Sequence, residues 1–188
     1  MRVIAGKARG KKLLSPQTDK IRPTLDRVKE SLFNIIGFEI RDCSFLDLFC
    51  GSGAIGIEAI SRDADKVYFV DRDSSSIELT QKNIESCKFD STKYKILKAD
   101  AFEALNSLAN KGIKFDYIFM DPPYGFLDID KIIEKISQLD LLKSGGLLIV
   151  ETDIDDSISE EIGKLNKKKE KKYSITKLSF YERTEHNG

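Results

Sequence analysis

The chain has 188 residues, of which 31 are basic and 31 acidic, so its formal net charge is zero. This length fits one domain with a small appendage, and a hydrophobic content of 40% suffices for a core. No stretch approaches the roughly 20 apolar residues of a membrane span, and the first residues lack the apolar region of a signal peptide. We therefore expect a cytoplasmic protein without a membrane partner.

Cysteine and histidine usage argues against metal and disulfide chemistry. The three cysteines, Cys43, Cys50 and Cys87, lack metal-ligand spacing and predict free thiols in a reducing compartment. The single histidine, His186, lies in a polar tail. We therefore expect neither a metal site nor histidine-based catalysis.

Basic residues crowd the beginning of the chain. Residues 2–5 and 11–14 are short apolar patches separated by Gly6 and Gly10, which predicts a small β-hairpin. The cations beside these patches, called here the N-terminal cations, are Lys7, Arg9, Lys11 and Lys12. Such asymmetry is typical of a nucleic-acid contact, although a solvated surface is the commoner meaning of a charge run. We expect residues 1–23 to form a basic extension and residues 24–188 the main domain.

The main domain alternates between the two kinds of secondary structure. Thr24 is predicted to cap a helix whose apolar positions recur until Gly37. Strands are predicted at 44–48, 66–70, 94–97, 115–120 and 146–150, and helices at 54–61, 75–87, 101–109, 129–136 and 155–165. Two final strands, 168–175 and 177–181, are predicted to pair antiparallel. The alternation predicts an α/β fold with parallel strands and helices on both faces.

A glycine-rich segment, residues 47–56, follows the first predicted strand of this series. Gly51 and Gly53 would let the backbone turn tightly and approach a ligand, and Gly56 would permit close helix packing. The helix N-terminus that follows can receive an anion. Between a strand and a helix, this spacing predicts a nucleotide-type ligand, with a ligand-free glycine turn as the alternative.

Two carboxylates follow the next two predicted strands. Asp71 could bind a ribose diol, or it could be a surface acid or a helix cap together with Asp73. Asp100 could accept from the amine of adenine and could also cap the following helix, and these two roles are compatible. Up to this point the residues fit a nicotinamide dehydrogenase as well as a methyltransferase that uses S-adenosylmethionine.

The segment Asp121-Pro122-Pro123-Tyr124 ends the fourth strand and separates these two possibilities. The prolines stiffen the chain and donate no backbone N–H, so their carbonyls are free to accept. Asp121 and the Pro122 carbonyl could hold both N–H groups of an exocyclic amine, while Tyr124 stacks on its ring. Positioning of this kind suits methyl transfer to a nucleobase amine. The alternative is an ordinary turn that contains prolines.

These segments resemble a known family. Asp121 to Tyr124 resembles the amino-methyltransferase signature, and together with residues 47–56 it is similar to class I S-adenosylmethionine-dependent enzymes. The N-terminal segments 2–6, 9–10, 22–24 and 26–28, with Glu30, resemble the bacterial 16S rRNA guanine-N2 methyltransferases that act on the small ribosomal subunit, the rRNA methyltransferase D type. The resemblance continues through 61–62, 115–116 and 178–181 and covers nearly the whole chain.

The resemblance implies methyl transfer from S-adenosylmethionine to the N2 amine of a guanine in 16S rRNA, within an assembling small ribosomal subunit. It also implies a mostly parallel, seven-stranded, Rossmann-like sheet that ends in an antiparallel strand pair. The implied catalytic residues are Asp121, Pro122 and Tyr124. The implied cofactor-binding residues are Asp47, Phe49, Gly51, Ser52, Gly53, Asp71, Arg72, Asp100 and Ala101. The implied RNA-binding residues are the N-terminal cations with Arg22, Thr24, Arg27 and Pro123.

Two departures from the family pattern leave these contacts in place. Glycine is expected where Asp63 stands, in a turn, and glutamate is frequent where Asp71 stands. The main enzymatic alternative is a DNA adenine amino-methyltransferase, because Asp121 to Tyr124 alone would fit one equally well. A non-catalytic RNA-binding assembly factor is the alternative from another class, and the intact glycines argue against it.

Overall fold

The computed structural model describes residues 1–16 and 23–183. Arg22 and His186 lie outside the described residues, and so do the side chains of residues 23–25. In the described part of the chain, no helix is both long and apolar enough to cross a membrane.

Five helices and eight strands form the described fold. The helices are α1 (Pro23–Ile36), α2 (Ala54–Ser61), α3 (Ser74–Cys87), α4 (Ala101–Asn110) and α5 (Ile129–Gln138). The strands are β1 (Ser44–Leu48), β2 (Lys66–Asp71), β3 (Tyr94–Lys98), β4 (Phe115–Met120), β5 (Leu142–Asp153), β6 (Glu161–Ile162), β7 (Leu165–Lys172) and β8 (Thr176–Arg183). These bounds confirm the seven strands expected in the main domain, one of them with a shifted range, and all but one of its helices. Within residues 1–16, the N-terminal hairpin expected at 2–5 and 11–14 is reduced to a single bridge between Arg2 and Lys12.

All eight strands belong to one sheet of order β3-β2-β1-β4-β5-β8-β7-β6. The first five strands in that order are parallel, and β8 pairs antiparallel with both β5 and β7. Alternate residues of the central strands belong to two apolar layers, one on each face of the sheet. Phe45 and Phe119 pack with α1 and α2 on one face, and Leu46 and Ile118 pack with α4 and α5 on the other. The expected α/β class, mostly parallel with an antiparallel end, is confirmed.

The helix expected at residues 155–165 is wrong. The chain there forms turns and the short strand β6, which gives the sheet one strand more than the seven expected. Local side chains compete for the backbone: the Asp153 N–H donates to Asp156 Oδ2 at 3.2 Å, and Ser159 binds Asp130 of α5. Short polar side chains of this kind favour turns over helix interiors. Gly163, with φ of +61°, then turns the chain into β7.

Thr24 lies inside α1 and is not its cap. The helix begins at Pro23, whose fixed φ suits a first helical position and whose missing N–H would be unpaired there anyway. The strand expected at 168–175 also shifts: β7 ends at Lys172, and the Tyr173 N–H donates to the Thr176 carbonyl at 2.8 Å to form the turn into β8.

Residues 1–14, called here the N-terminal segment, fold back on themselves and pack along α2. Its only ladder contact among the described residues is one antiparallel bridge between Arg2 and Lys12. Val3 and Leu13 are buried in the core. The Lys7 N–H donates to the Ser61 carbonyl at 2.8 Å, so the tip of the segment lies beside the C-terminal end of α2.

A buried ionic cluster fastens this segment. Glu58 of α2 is fully buried and accepts the backbone N–H groups of Ile4 at 2.8 Å and Ala5 at 3.0 Å. It also accepts from Arg62 Nε at 2.8 Å and lies 3.5 Å from Lys29 Nζ. Lys29, itself 1% exposed, donates to the Arg2 carbonyl at 2.6 Å. Burial lowers the pKa of Lys29, against the opposing effect of Glu58.

Candidate functional site

The expected site residues converge at one edge of the sheet. In parallel strands that are neighbours, the carboxyl ends meet at the same edge, and ligands of open α/β sheets bind there. A narrow cleft of about 20 Å³ lies at this edge. Its lining includes six of the expected residues: Phe49, Asp71, Arg72, Asp100, Ala101 and Pro123. The fold therefore brings together side chains that are up to 74 positions apart in the chain.

The glycine loop between β1 and α2 has the backbone that its sequence predicts. Gly51 and Gly53 have φ of 53° and 75°, a region that other residues rarely adopt. A Cβ at Gly53 would lie 2.9 Å from the Thr80 side chain, so a larger residue would meet α3. The Gly51 N–H donates to Asp71 Oδ2 at 3.0 Å, which couples the loop to the end of β2.

Asp47 supports the glycine loop from inside the protein. Its side chain is 2% exposed and accepts the Gly56 N–H at 2.8 Å. Burial raises the pKa of this carboxyl well above its usual range, against the stabilising hydrogen bond from Gly56. Asp47 therefore fixes the first turn of α2. Like Gly51, Ser52 and Gly53, it is not among the residues that line the cleft.

Two polar residues of α3 brace the same loop, and neither was predicted from the sequence. Thr80 Oγ1 donates to the Gly51 carbonyl at 2.8 Å. Asn83 Nδ2 donates to the Ser52 carbonyl at 2.9 Å, and the Asn83 amide also binds the backbone of Leu14 in both directions. Thr80 and Asn83 are three residues apart on the buried face of a helix. That placement of polar groups is a signal that the sequence does contain.

The two strand-end acids accept hydrogen bonds from nearby backbone N–H groups, Asp71 through both oxygens and Asp100 through one. Asp71 Oδ1 accepts the Asp73 N–H at 2.9 Å while Oδ2 accepts from Gly51. Asp100 Oδ1 caps α4 by accepting the Phe102 N–H at 2.9 Å. A carboxylate oxygen can accept more than one hydrogen bond, so both groups keep capacity for a ligand in the cleft.

Asp121 to Tyr124 line a second, larger pocket of about 290 Å³. It also contains side chains of β5 and β8 and of the turns beside them: Glu151, Thr152, Asp153, Asp156, Ile175 and Thr176. Tyr124 is 92% exposed, so its ring is uncovered at the rim. Pro123 and Phe126 line both the pocket and the narrow cleft, and the Phe126 ring packs edge-on against Phe49 with centroids 5.5 Å apart. The pocket and the cleft therefore share one wall.

Asp121 and Glu151 form an acidic pair in the pocket. Asp121 is an exposed residue by surface area, but its carboxyl faces a concave site enclosed by protein, and this desolvation raises its pKa to about 7. Glu151 is 8% exposed; burial, and then the charge of Asp121, raises its pKa to about 8. Two carboxyls that influence each other in this way titrate as a pair. Near neutral pH the pair holds a proton.

The expected RNA-binding residues are dispersed. All four N-terminal cations are exposed, and so is Arg27 on α1. Lys7 pairs with Asp63 at 2.5 Å beside the end of α2, at the edge of the sheet opposite the pocket. The side-chain hydrogen bond from Lys7, and to a smaller extent its charge, lower the pKa of Asp63, a half-buried residue. No group of His, Cys, Asp or Glu side chains within the described ranges could hold a metal ion.

Comparison with known proteins gives the family. The model of the family described as "Conserved hypothetical protein 95" matches residues 1–182. The YlbH protein of Bacillus subtilis is 35% identical over 97% of this chain and 99% of its own length. Ribosomal RNA small subunit methyltransferase D of Haemophilus influenzae is 37% identical over 82% of this chain and 80% of its own. The solved structure of yhhF from Escherichia coli has a TM-score of 0.84 and 31% identity, covering 97% of both chains. The chain therefore belongs to the conserved hypothetical protein 95 family, together with relatives named ribosomal RNA small subunit methyltransferase D.

Proposed function

We propose that this protein transfers a methyl group from S-adenosylmethionine to the exocyclic N2 amine of a guanine in 16S rRNA. The observation that carries the proposal is the wall shared by the narrow cleft and the acidic pocket. Pro123 and Phe126 line both, so a cofactor in the cleft and a base in the pocket would meet at the end of β4. Relatives named as rRNA methyltransferases support the reaction class.

The cleft residues fit the cofactor chemically. Asp71 retains acceptor capacity for a ribose diol, Asp100 for the adenine amine, and the Gly51–Gly53 backbone permits close approach. Arg72, Ala101 and Phe49 complete the lining. When bound, S-adenosylmethionine supplies a sulfonium methyl group that is open to attack by a nucleophile.

The pocket residues act on the amine. An exocyclic amine is a poor nucleophile because its lone pair is delocalised into the ring. The Asp121 carboxylate and the Pro122 carbonyl would accept its two N–H groups and direct the lone pair toward the cleft, while Tyr124 stacks on the base. Methylation of the amine would release one of its protons, which Asp121 would accept and pass to water. Positioning and electrostatics supply the rate.

The wider assignments complete the proposal. Residues 1–23 would be a basic extension of a methyltransferase domain at 24–188. The exposed N-terminal cations and Arg27 would contact RNA phosphates, which position the substrate without reading its sequence. Arg22, Thr24 and Pro123 would belong to the RNA-binding residues as well. The substrate would be 16S rRNA within an assembling small subunit, in the cytoplasm.

Mass spectrometry of nucleosides from a strain that lacks the protein tests this proposal. The expected result is loss of one N2-methylguanine from 16S rRNA, restored by the wild-type gene and not by an Asp121→Ala variant. Unchanged guanine methylation with loss of methyladenine from DNA would overturn the proposal in favour of a DNA adenine enzyme. Folded protein that binds no S-adenosylmethionine in calorimetry would instead favour a non-catalytic assembly factor.

A further inference from the structure

Glu151 is a buried carboxyl in the acidic pocket that the proposed reaction does not yet use. It lies near the end of β5, is 8% exposed, and lines the same pocket as Asp121. Burying an ionisable group is costly unless hydrogen bonds or neutralisation compensate. The surroundings of Glu151 therefore need an explanation beyond packing.

Thr176 holds one oxygen of Glu151. The Thr176 hydroxyl lies 2.6 Å from the Thr152 carbonyl and 3.1 Å from Glu151 Oε1, and it is the donor in both contacts. Burial, and then the charge of Asp121, raise the pKa of Glu151, while the hydrogen bond from Thr176 acts in the opposite direction because it favours the carboxylate. Oε1 is therefore an acceptor whose partner is Thr176.

The second oxygen of Glu151 has no such partner. Among the described residues none forms a hydrogen bond with Oε2, whereas Oε1 accepts from Thr176. An N–H donor that enters the pocket would bind Oε2 and favour the ionised form of Glu151. Asp121, the other member of the pair, offers acceptor oxygens as well. The described side chains that line the pocket are acids, hydroxyls, prolines and apolar groups, and none of them is a lysine, an arginine or an amide. The pocket therefore presents adjacent acceptors to whatever base enters it.

Two adjacent acceptors suit the edge of guanine. Guanine carries the N2 amine and the N1–H side by side, both donors, whereas adenine has a lone pair at N1 next to its amine. We propose that Glu151 is a specificity-determining residue that accepts the N1–H of the target guanine while Asp121 holds the N2 amine, and thereby excludes adenine. This inference rests on the proposed function, since it requires guanine as the substrate.

Nucleoside competition tests the inference without knowledge of the target nucleotide. Methyl transfer to small subunits from a strain that lacks the protein is measured with labelled S-adenosylmethionine, and guanosine or 2-aminopurine riboside is added as inhibitor. 2-Aminopurine keeps the 2-amino group but has a lone pair at N1. For wild type, its inhibition constant should exceed that of guanosine by about 10- to 100-fold, the usual cost of an unmatched buried polar group.

The Glu151→Gln variant should lose most of that preference. Its amide can turn to donate to N1 or to accept from N1–H, so the ratio of inhibition constants should fall at least about fivefold. Glu182→Gln is the matched control, because it is the same substitution on the neighbouring strand β8. Glu182 is exposed and lies at the other end of the β5–β8 pair, so this variant should leave the ratio of inhibition constants unchanged. Calorimetry with S-adenosylmethionine checks that each variant is folded. If Glu151→Gln does not fold, Thr176→Val replaces it, because this substitution removes the hydrogen-bond partner of Glu151.

The outcomes separate this inference from the proposed function. If wild type methylates guanine and Glu151→Gln keeps the wild-type preference, the inference is overturned and the proposed function stands. If wild type binds the cofactor but transfers no methyl group to guanine, the proposed function fails and the inference fails with it. Loss of preference in Glu151→Gln but not in Glu182→Gln supports the inference.

Discussion

Replacing Glu58 with alanine should destabilise the protein more than any surface substitution. Glu58 is fully buried and accepts hydrogen bonds from three groups, the Ile4 and Ala5 N–H and Arg62 Nε. It also forms an ion pair with the Lys29 ammonium at 3.5 Å. Its removal leaves three donors without their acceptor and a buried ammonium without its counter-charge. Breaking a buried ion pair from one side costs about 3–5 kcal/mol, which is a large share of the roughly 5–15 kcal/mol that stabilise a typical domain.

Urea unfolding measures this effect. Glu58→Ala should lower the free energy of unfolding by about 3–5 kcal/mol, whereas Glu78→Ala should change it by no more than about 0.5 kcal/mol. Glu78 is the matched control because it forms an i,i+4 pair with Lys82 at 3.9 Å on an exposed face of α3. Limited proteolysis should cut the N-terminal segment faster in Glu58→Ala alone.

A double substitution identifies the source of the loss. If the buried charge of Lys29 dominates, Glu58→Ala combined with Lys29→Met should be at least as stable as Glu58→Ala, because the unpaired cation is gone. A loss below about 1 kcal/mol in Glu58→Ala would refute the reasoning. It would mean that water or a shifted backbone satisfies the donors that Glu58 serves.

Three further results should follow from the site. Asp121→Asn should lower kcat for methyl transfer by about 10²- to 10³-fold. The affinity for S-adenosylmethionine, measured by calorimetry, should not change, because Asp121 lines the pocket and not the cleft. A parallel loss of cofactor affinity would contradict this separation. The pKa of Glu151 is raised in the folded state. Between about pH 4.5 and 8 the folded protein therefore binds more protons than the unfolded chain, and the contribution of this group to the free energy of unfolding falls as the pH rises through that range. Urea titrations at several pH values should therefore show a flatter decline in Glu151→Gln than in wild type, and parallel profiles would exclude the effect. Changing the N-terminal cations together to alanine should reduce the salt dependence of RNA binding by a slope of roughly 2 to 3, and an unchanged slope would remove them from the RNA interface.

Local spacing accounts for what the sequence predicts of the site. Asp71 and Asp121 directly follow a predicted apolar strand, and Asp100 comes three positions after one. Parallel strands bring such positions to one edge of the sheet. The glycine loop is equally local, because its conformation depends on residues that lack a Cβ. For these features, identifying the strands was enough to place the residues together.

The prediction of a helix at 155–165 was wrong because tertiary contacts, which the local sequence pattern does not show, determine the structure there. Its apolar residues Ile158, Ile162 and Leu165 do recur at helical spacing, and all three are buried. They reach the core from turns and short strands, because the side chains around them bind α5 and the sheet. The Ser159 carbonyl accepts from Tyr181 Oη at 2.7 Å, across 22 positions of sequence. Tertiary partners therefore override a periodicity that is real.

The buried polar residues of the site can be recognised in the sequence, but their hydrogen-bond partners cannot be predicted from it. Asn83 binds both Leu14 and Ser52, so one amide links the N-terminal segment to the glycine loop, across 69 and 31 positions. A polar residue on a buried helix face indicates that a partner exists, but the partner is fixed only by the fold. Asn83 binds both the segment that carries the N-terminal cations and the glycine loop, whose Gly51 N–H donates to the cleft residue Asp71. Displacement of one should therefore disturb the other. Asn83→Ala should therefore weaken both RNA and cofactor binding, although it lines neither pocket.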